Sequence, residues 1–171
     1  MTLDEVLQKD AALSARLRIT EKPGPLRTFA AILAHSGDSW VWGLLLLAAW
    51  RLGGPDWLPR VRAALIGILA TAAVVQGLKL VFRRRRPEGQ WGKIYRLTDP
   101  HSFPSGHAAR AIFLAVLSLF LGPPWLILVL VIWSPLVVLA RVAMGVHYVS
   151  DVLVGAVLGG IVGLAAGYLV V

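Results

Sequence analysis

From Trp40 to the C-terminus the sequence is a succession of long apolar blocks, separated by short polar or Gly/Pro-rich breaks. Four blocks run roughly from Val61 to Phe82, Gly106 to Leu121, Trp125 to Ala140 and Tyr148 to Val171. Predominantly apolar stretches of this kind are what a hydrocarbon core of about 30 Å demands of a helix. Gly122-Pro123-Pro124 is a tight turn between two of them. An earlier block, Trp40 to Trp50, is strongly apolar but short. Either Ser39 to Leu52 crosses a thinned region, or its helix begins earlier and is broken near Gly37. Hydrophobic residues make up 57% of the chain and charged residues 15%, a balance that excludes an ordinary soluble domain. The pattern predicts an all-α integral-membrane helix bundle with about five transmembrane helices, preceded by N-terminal amphipathic helices.

The chain reads as one domain, residues 1–171, with an interfacial part at 1–38 and a transmembrane core at 39–171. Leu3, Val6, Leu7, Leu13 and Leu17 share one helix face, and Asp4, Glu5, Lys9, Asp10 and Arg16 lie elsewhere. This is an amphipathic helix on the membrane surface, or a cap packed on the bundle. Pro23-Gly24-Pro25 ends it, and a second apolar run from Leu26 to Leu33 stops at His35-Ser36-Gly37-Asp38. Met1 to Ala12 is polar and lacks the apolar core of a signal peptide. The last span carries Gly155, Gly159, Gly163 and Gly167, one every four residues. Such a stripe admits a close helix, either within the bundle or across a homodimer seam.

There is no cysteine, so disulfides, thiol catalysis and cysteine-ligated metals are excluded. The formal charge is +8, with the basic residues gathered between spans. Anionic lipid headgroups or a phosphorylated substrate suit that distribution, and no nucleic-acid module is visible.

Three polar clusters sit at span ends that alternation of the helices places on one side. In the first, Lys79 is followed by six residues and then Arg86-Pro87. A lysine inside an apolar helix is costly unless it faces a polar cavity, and Arg86 offers a fork that fits phosphate oxygens. Arg83, Arg84 and Arg85 read as ordinary basic flanks. In the second, Pro104-Ser105-Gly106-His107 opens a helix, whose free N–H groups and dipole favour an anion. Simple capping by Ser105 is the plainer reading of that serine. The third comprises Arg141, His147 and Asp151. His147 and Asp151 are four apart on one helix face, a spacing equally compatible with a structural pair or half of a metal site. A carboxylate so placed can fix the imidazole tautomer and leave the other ring nitrogen as an oriented nucleophile. His35 and Asp38 flank the helix break and are placed away from this site, and His101 is a bystander or part of a lid.

Together, Lys79-x6-Arg86-Pro87, Pro104-Ser105-Gly106-His107 and Arg141-x5-His147-x3-Asp151 resemble the three signature motifs of the phosphatidic acid phosphatase type 2 superfamily. The match covers about Lys79 to Asp151. The stretch from Arg84 to Pro87 and from Ser102 to Ala111 looks like the polyisoprenoid diphosphate phosphatase branch. One departure is Ala140, where the family usually has serine, which removes one hydroxyl contact and should weaken the site modestly.

The resemblance implies a lipid phosphatase acting on an isoprenoid diphosphate or phosphate, or a phosphatidate, through a phosphohistidine. His147 would be the nucleophile, Asp151 its partner, and His107 the acid for the leaving oxygen and then the base for water. Lys79, Arg86, Arg141, Ser105 and the Gly106 backbone would hold the phosphoryl oxygens, with no metal and no cofactor. Arg110 would meet a second phosphate, or else serve as an internal ion pair or snorkel. Phosphatidylglycerophosphate or polyprenyl sugar phosphate hydrolysis and lipid phosphotransfer are the alternatives. Vanadium haloperoxidases share such a site but are soluble, so the spans argue against that activity.

Arg51, Arg60 and Arg62 lie opposite the clusters. On the cluster side are Lys9, Arg16, Arg18, Lys22, Arg27, Arg83 to Arg86, Lys93 and Arg96, eleven against three. The positive-inside rule then turns the active site to the cytoplasm of a bacterial-type inner or cell membrane, although many family members act on the outer face.

Overall fold

The computed structural model describes residues 2–19, 23–89, 91, 95 and 97–170. Lys22, Lys93 and Arg96 of the charge comparison, and the terminal Met1 and Val171, lie outside the described residues. Seven helices are bounded within the described residues: α1 (Leu3–Leu17), α2 (Pro25–Ser36), α3 (Ser39–Leu52), α4 (Trp57–Phe82), α5 (Gly106–Leu121), α6 (Pro124–Ala143) and α7 (Val149–Val170). Helices α4, α6 and α7 are each long and apolar enough to cross a membrane. Helices α2 and α3 pass together as a fourth span, bent by 59° at the break. The first apolar block is therefore the broken helix of the two alternatives. Helix α5 is apolar but shorter, so three helices, or four with the bent pair as one span, are long and apolar enough to cross among the described residues, against the five expected. The chain is an integral-membrane protein.

The helix ends follow local chemistry. In α1, Thr2 and Glu5 form a reciprocal capping box, with Asp4 and Glu5 in the first turn and Arg16 in the last, matching the helix dipole. Pro25 and Pro124 open α2 and α6, where a missing N–H costs nothing. Helix α4 stops at Arg83, a left-handed residue with φ of 46° whose N–H closes on Lys79 O at 3.0 Å. That turn sends Arg84 to Arg86 back across the helix end. Ser105 caps α5 by accepting the Ala108 N–H.

Helix α5 is the central element and packs on α4, α6 and α7. Phe113, fully buried, sits against α4 where Gly67 makes room: a Cβ at Gly67 would lie 2.0 Å from the ring. Ala63, Ala64 and Ile68 of α4, Leu114 and Leu117 of α5, and Leu130 of α6 complete this core. Gly155, Gly159, Gly163 and Gly167 are all buried against α5. A Cβ at Gly159 would stand 2.0 Å from the Ala109 carbonyl oxygen. The glycine stripe is thus consumed inside one chain, and the homodimer seam read from it is corrected: no free face is left there for a second copy. Outward apolar side chains, among them Ile66, Leu69, Val81, Leu128, Leu139 and Ile161, are exposed as lipid contact requires.

Helix α1 combines both readings of its sequence. Leu3, Val6, Leu7, Leu13 and Leu17 are exposed. Its polar edge, through Asp10 and Ser14, is bonded to the start of α7.

Candidate active site

Arg60, near the start of α4, donates to Leu121 O at the far end of α5 at 2.6 Å, which marks one end of the bundle. The three polar clusters meet at the other end. Arg86 Nη1 lies 3.1 Å from His147 Nε2 and donates to Val146 O at 2.9 Å. Ser105 donates its N–H to Asp151 O at 2.9 Å, tying the second cluster to the third. Topology and side-chain contacts agree.

Lys79, Arg86, Arg141, Ser105, His147 and Asp151 are all buried. Arg141 sends Nη1 to the Tyr95 hydroxyl at 3.1 Å, while its Nε and Nη2 have no hydrogen-bond partner among the described residues. A fully buried guanidinium with open donors is a costly arrangement unless an anion completes it. Ser105 Oγ accepts the Ala108 N–H at 3.4 Å as the cap, a contact that does not use its O–H donor. Asp151 Oδ2 is 3.5 Å from His147 Nδ1, longer than an ordinary hydrogen bond, and takes the Tyr148 N–H at 2.8 Å.

A cavity of about 240 Å³ joins the motif residues Lys79, Gly106, His107 and His147. It continues along one stripe of α4 through Gln76, Val75, Ala72, Thr71 and Ile68, with Ser39 and Arg110 on the opposing wall. It runs beside His107, with residues of α4 on one side and of α5 on the other. Arg110 lines it and also donates to Gly37 O at the break between α2 and α3. Inside the bundle Arg110 thus has a backbone carbonyl as its hydrogen-bond acceptor.

Burial, and then the charges of Arg86, Arg141 and Lys79, hold the His147 imidazole well below the ordinary histidine range. It is neutral and able to use a ring lone pair. Asp99 closes on two of the cations, with Lys79 Nζ on its Oδ2 and Arg86 Nη2 on the same oxygen at 2.8 Å. Burial raises the Asp99 carboxyl, but the hydrogen bond and charge of Lys79, with Arg86, outweigh it and keep it below the usual carboxylate range.

Two placements correct the sequence reading. Asp38 is part of the site: its Oδ1 lies 2.6 Å from His107 Nε2, and its Oδ2 lies 3.1 Å from His35 Nδ1. A carboxylate at a helix break inside an apolar region was the available signal. Arg84 is no ordinary flank, since its Nη1 donates to Asp151 Oδ1 at 2.8 Å and its Nη2 to Asp10 Oδ2 at 2.7 Å. His101 forms an isolated antiparallel bridge with Arg85, which holds the loop against the end of α4. Asp99 and Gln76 were also missed. Gln76 had a signal, a polar amide three residues before Lys79 in an apolar span. Asp99 had none, because its loop carries no periodicity. Ala140 packs with Ala30 and Ala34 of α2, so the missing hydroxyl leaves an apolar contact in its place.

The family model described as PAP2 superfamily matches residues 60–171. The chain is similar to decaprenylphosphoryl-5-phosphoribose phosphatase of Mycobacterium tuberculosis, 35% identical over 150 residues, covering 85% of this chain and 80% of that protein. The protein of the same name from Mycolicibacterium smegmatis is 36% identical over 157 residues, covering 86% and 81%. Among solved structures, Aquifex aeolicus LpxE superposes with a TM-score of 0.70 at 26% identity over 91% of this chain and 92% of that one. A PAP2-type phosphatidylglycerolphosphate phosphatase from Bacillus subtilis gives 0.74 at 22% identity over 96% and 86%, a likeness of fold.

Proposed function

The chain belongs to the PAP2 superfamily and is a membrane lipid phosphatase, and from that premise we propose that it hydrolyses the phosphomonoester of a polyprenyl-linked sugar phosphate through a phosphohistidine on His147. The observation that carries this reading is the buried His147 beside Arg86, with the open donors of Arg141, at the end of a cavity reaching between helices.

In the proposed reaction His147 Nε2 attacks phosphorus, and the bond from phosphorus to the sugar oxygen breaks. His107, as imidazolium held by Asp38, gives its proton to that oxygen. Lys79, Arg86, Arg141 and the Gly106 N–H carry the charge on the equatorial oxygens. Water then attacks the phosphohistidine, His107 takes a water proton, and the P–N bond breaks to release phosphate and neutral His147. Asp151 orients the Nδ1 edge of the nucleophile. Ser105 contributes by fixing the start of α5 and presenting Gly106.

The sugar is favoured by the cavity wall. Gln76 and Ser39 are uncharged polar groups beside Lys79, suited to hydroxyls, and the mycobacterial relatives carry a phosphoribose substrate in their name. A second reading, an isoprenoid diphosphate, is favoured by Arg110, which lines the same cavity. Phosphate release by detergent-purified protein, measured on both lipids, phosphatidate and phosphatidylglycerophosphate, tests the choice. Preference for the polyprenyl sugar phosphate, with Arg110→Gln impairing all substrates alike, supports the first reading. Preference for the diphosphate, with selective loss in Arg110→Gln, supports the second.

The site is proposed to face the cytoplasm, on the eleven-to-three excess of basic residues, which becomes ten to three once Arg86 is set aside as catalytic. Single cysteines at Gly89 and Asp56 should then label from opposite sides of intact cells, with Asp56→Cys reachable by an impermeant reagent and Gly89→Cys shielded. The reverse pattern places the site outside.

A further inference from the structure

The start of α7 has no cap of its own in the preceding sequence, and α1 supplies it from the other end of the chain. Val149 N–H donates to Ser14 Oγ at 2.9 Å, and Ser150 N–H donates to Asp10 Oδ1 at 3.0 Å. A carboxylate at a helix N-terminus also meets the positive end of the dipole. The same Asp10 takes Arg84 Nη2 on Oδ2 at 2.7 Å. Arg84 in turn donates Nη1 to Asp151 Oδ1 at 2.8 Å and to Ser150 Oγ at 2.6 Å, and its guanidinium lies 3.9 Å from the centre of the Tyr148 ring. Both oxygens of the fully buried Asp151 are thereby fixed, one by Arg84 and the other by the Tyr148 N–H.

We propose that Arg84 is a positioning residue for the His147–Asp151 pair, and that Asp10 and Ser14 of the N-terminal helix hold it there, so that α1 is a working part of the site. The inference rests on the phosphohistidine reading above. Arg84 sets where the Asp151 carboxylate points, and Asp151 sets the Nδ1 edge of His147. Arg84 directs both terminal nitrogens to Ser150, Asp151 and Asp10, so its effect passes through Asp151 and not through substrate. Asp10 and Ser14 lie outside residues 60–171 that the family model matches, so the brace comes from a part of the chain that the model does not describe. Because the apolar face of α1 is exposed while its polar edge carries these contacts, the brace is seated at the membrane surface.

The test is steady-state kinetics of the full-length protein in detergent, with Arg84→Gln, Arg84→Lys, Asp10→Asn and the Asp10→Asn/Arg84→Gln pair. Outer partners that orient a functional imidazole are worth on the order of 10–100-fold in activity. Arg84→Gln should therefore lower kcat by roughly that factor with KM little changed, and Arg84→Lys should restore part of it. The acid limb of kcat/KM should move to higher pH. Removing Arg84 leaves Asp151 less neutralised, which favours the imidazolium of His147 against the opposing charges of Lys79, Arg86 and Arg141, with Asp99 and Asp10 unchanged. The double variant should lose no more than Arg84→Gln alone, because both act through one contact.

Unchanged kcat and acid limb in Arg84→Gln would overturn the proposal. So would independent, multiplying losses in the pair, or a fall in kcat that follows a lowered melting temperature with the pH profile intact. If Arg84→Gln does not fold, Arg84→Lys and Asp10→Asn carry the same comparison. His147→Ala separates the two levels: activity surviving in that variant sinks the phosphohistidine reading itself, whereas an inactive His147→Ala beside an unaffected Arg84→Gln sinks this inference alone.

Discussion

Asp38 Oδ1 lies 2.6 Å from Nε2 of His107, across 69 residues of sequence. The contact links the break between α2 and α3 to the first turn of α5. In the proposed reaction it leaves Nδ1 of His107 as the ring atom for the leaving oxygen and sets a carboxylate against the imidazolium.

Replacing Asp38 by Asn keeps the shape and removes the charge. A positioned general acid contributes on the order of a hundredfold or more, and loss of its partner should remove a large part of that. We expect kcat to fall by roughly tenfold to a hundredfold, with the folded protein retained by size-exclusion chromatography. A normal kcat in a folded Asp38→Asn protein would show that the contact is structural only.

The pH profile follows from His147. Its pKa is depressed by burial and then by Arg86, Arg141 and Lys79, so the free enzyme keeps a neutral nucleophile below the usual histidine range. The acid limb of kcat/KM, which reports protonation of that nucleophile, should fall below pH of about 6.5, the ordinary histidine value. Arg141→Gln removes one of the cations and should raise His147, moving the limb upward. A limb at or above the ordinary value in the unaltered enzyme would contradict the electrostatics.

Helix packing supplies a stability test away from the chemistry. A side chain at Gly159 meets the Ala109 carbonyl at 2.0 Å, a backbone atom that no rotamer change can relieve. Gly159→Ala should lower stability by about 1–3 kcal/mol, the usual cost of overpacking, read as a lower melting temperature in detergent. At Gly43, where nothing lies within 4 Å, alanine should have little effect. Equal melting temperatures for the two variants would mean that α5 and α7 are not packed this closely.

Metal dependence is a further check on the phosphate site. Lys79, Arg86 and Arg141 supply fixed positive charge, so turnover should survive chelation of divalent ions, and orthovanadate should inhibit by mimicking five-coordinate phosphorus at His147. Strict dependence on an added divalent ion would call for a different chemistry.

The spans and motif clusters were legible because both write themselves locally. Apolar runs with a Gly-Pro-Pro turn give helix ends to within a few residues, and α5 matches its sequence bounds at Gly106 and Leu121. His147 and Asp151 announce a shared face by spacing alone. The roles of Asp10 and Arg84 were not legible for the opposite reason, and Asp38 announced itself as a carboxylate at a break without naming its partner. Each gains its role from a partner more than sixty residues away, and such pairings follow from how helices dock. The glycine stripe carried a true signal for close approach without naming the partner, and only the packing of α5 against it decides between bundle and dimer.

The most direct measurement is covalent trapping at His147. Brief reaction of the detergent-purified enzyme with lipid labelled in its terminal phosphate, followed by denaturing quench at alkaline pH, should leave label on the protein that is stable to base and released by acid. Peptide mapping should place it on His147, and His147→Ala should abolish both label and turnover, a loss of about a hundredfold or more. Near-normal turnover in His147→Ala, or label mapped to another residue, would contradict a phosphohistidine mechanism.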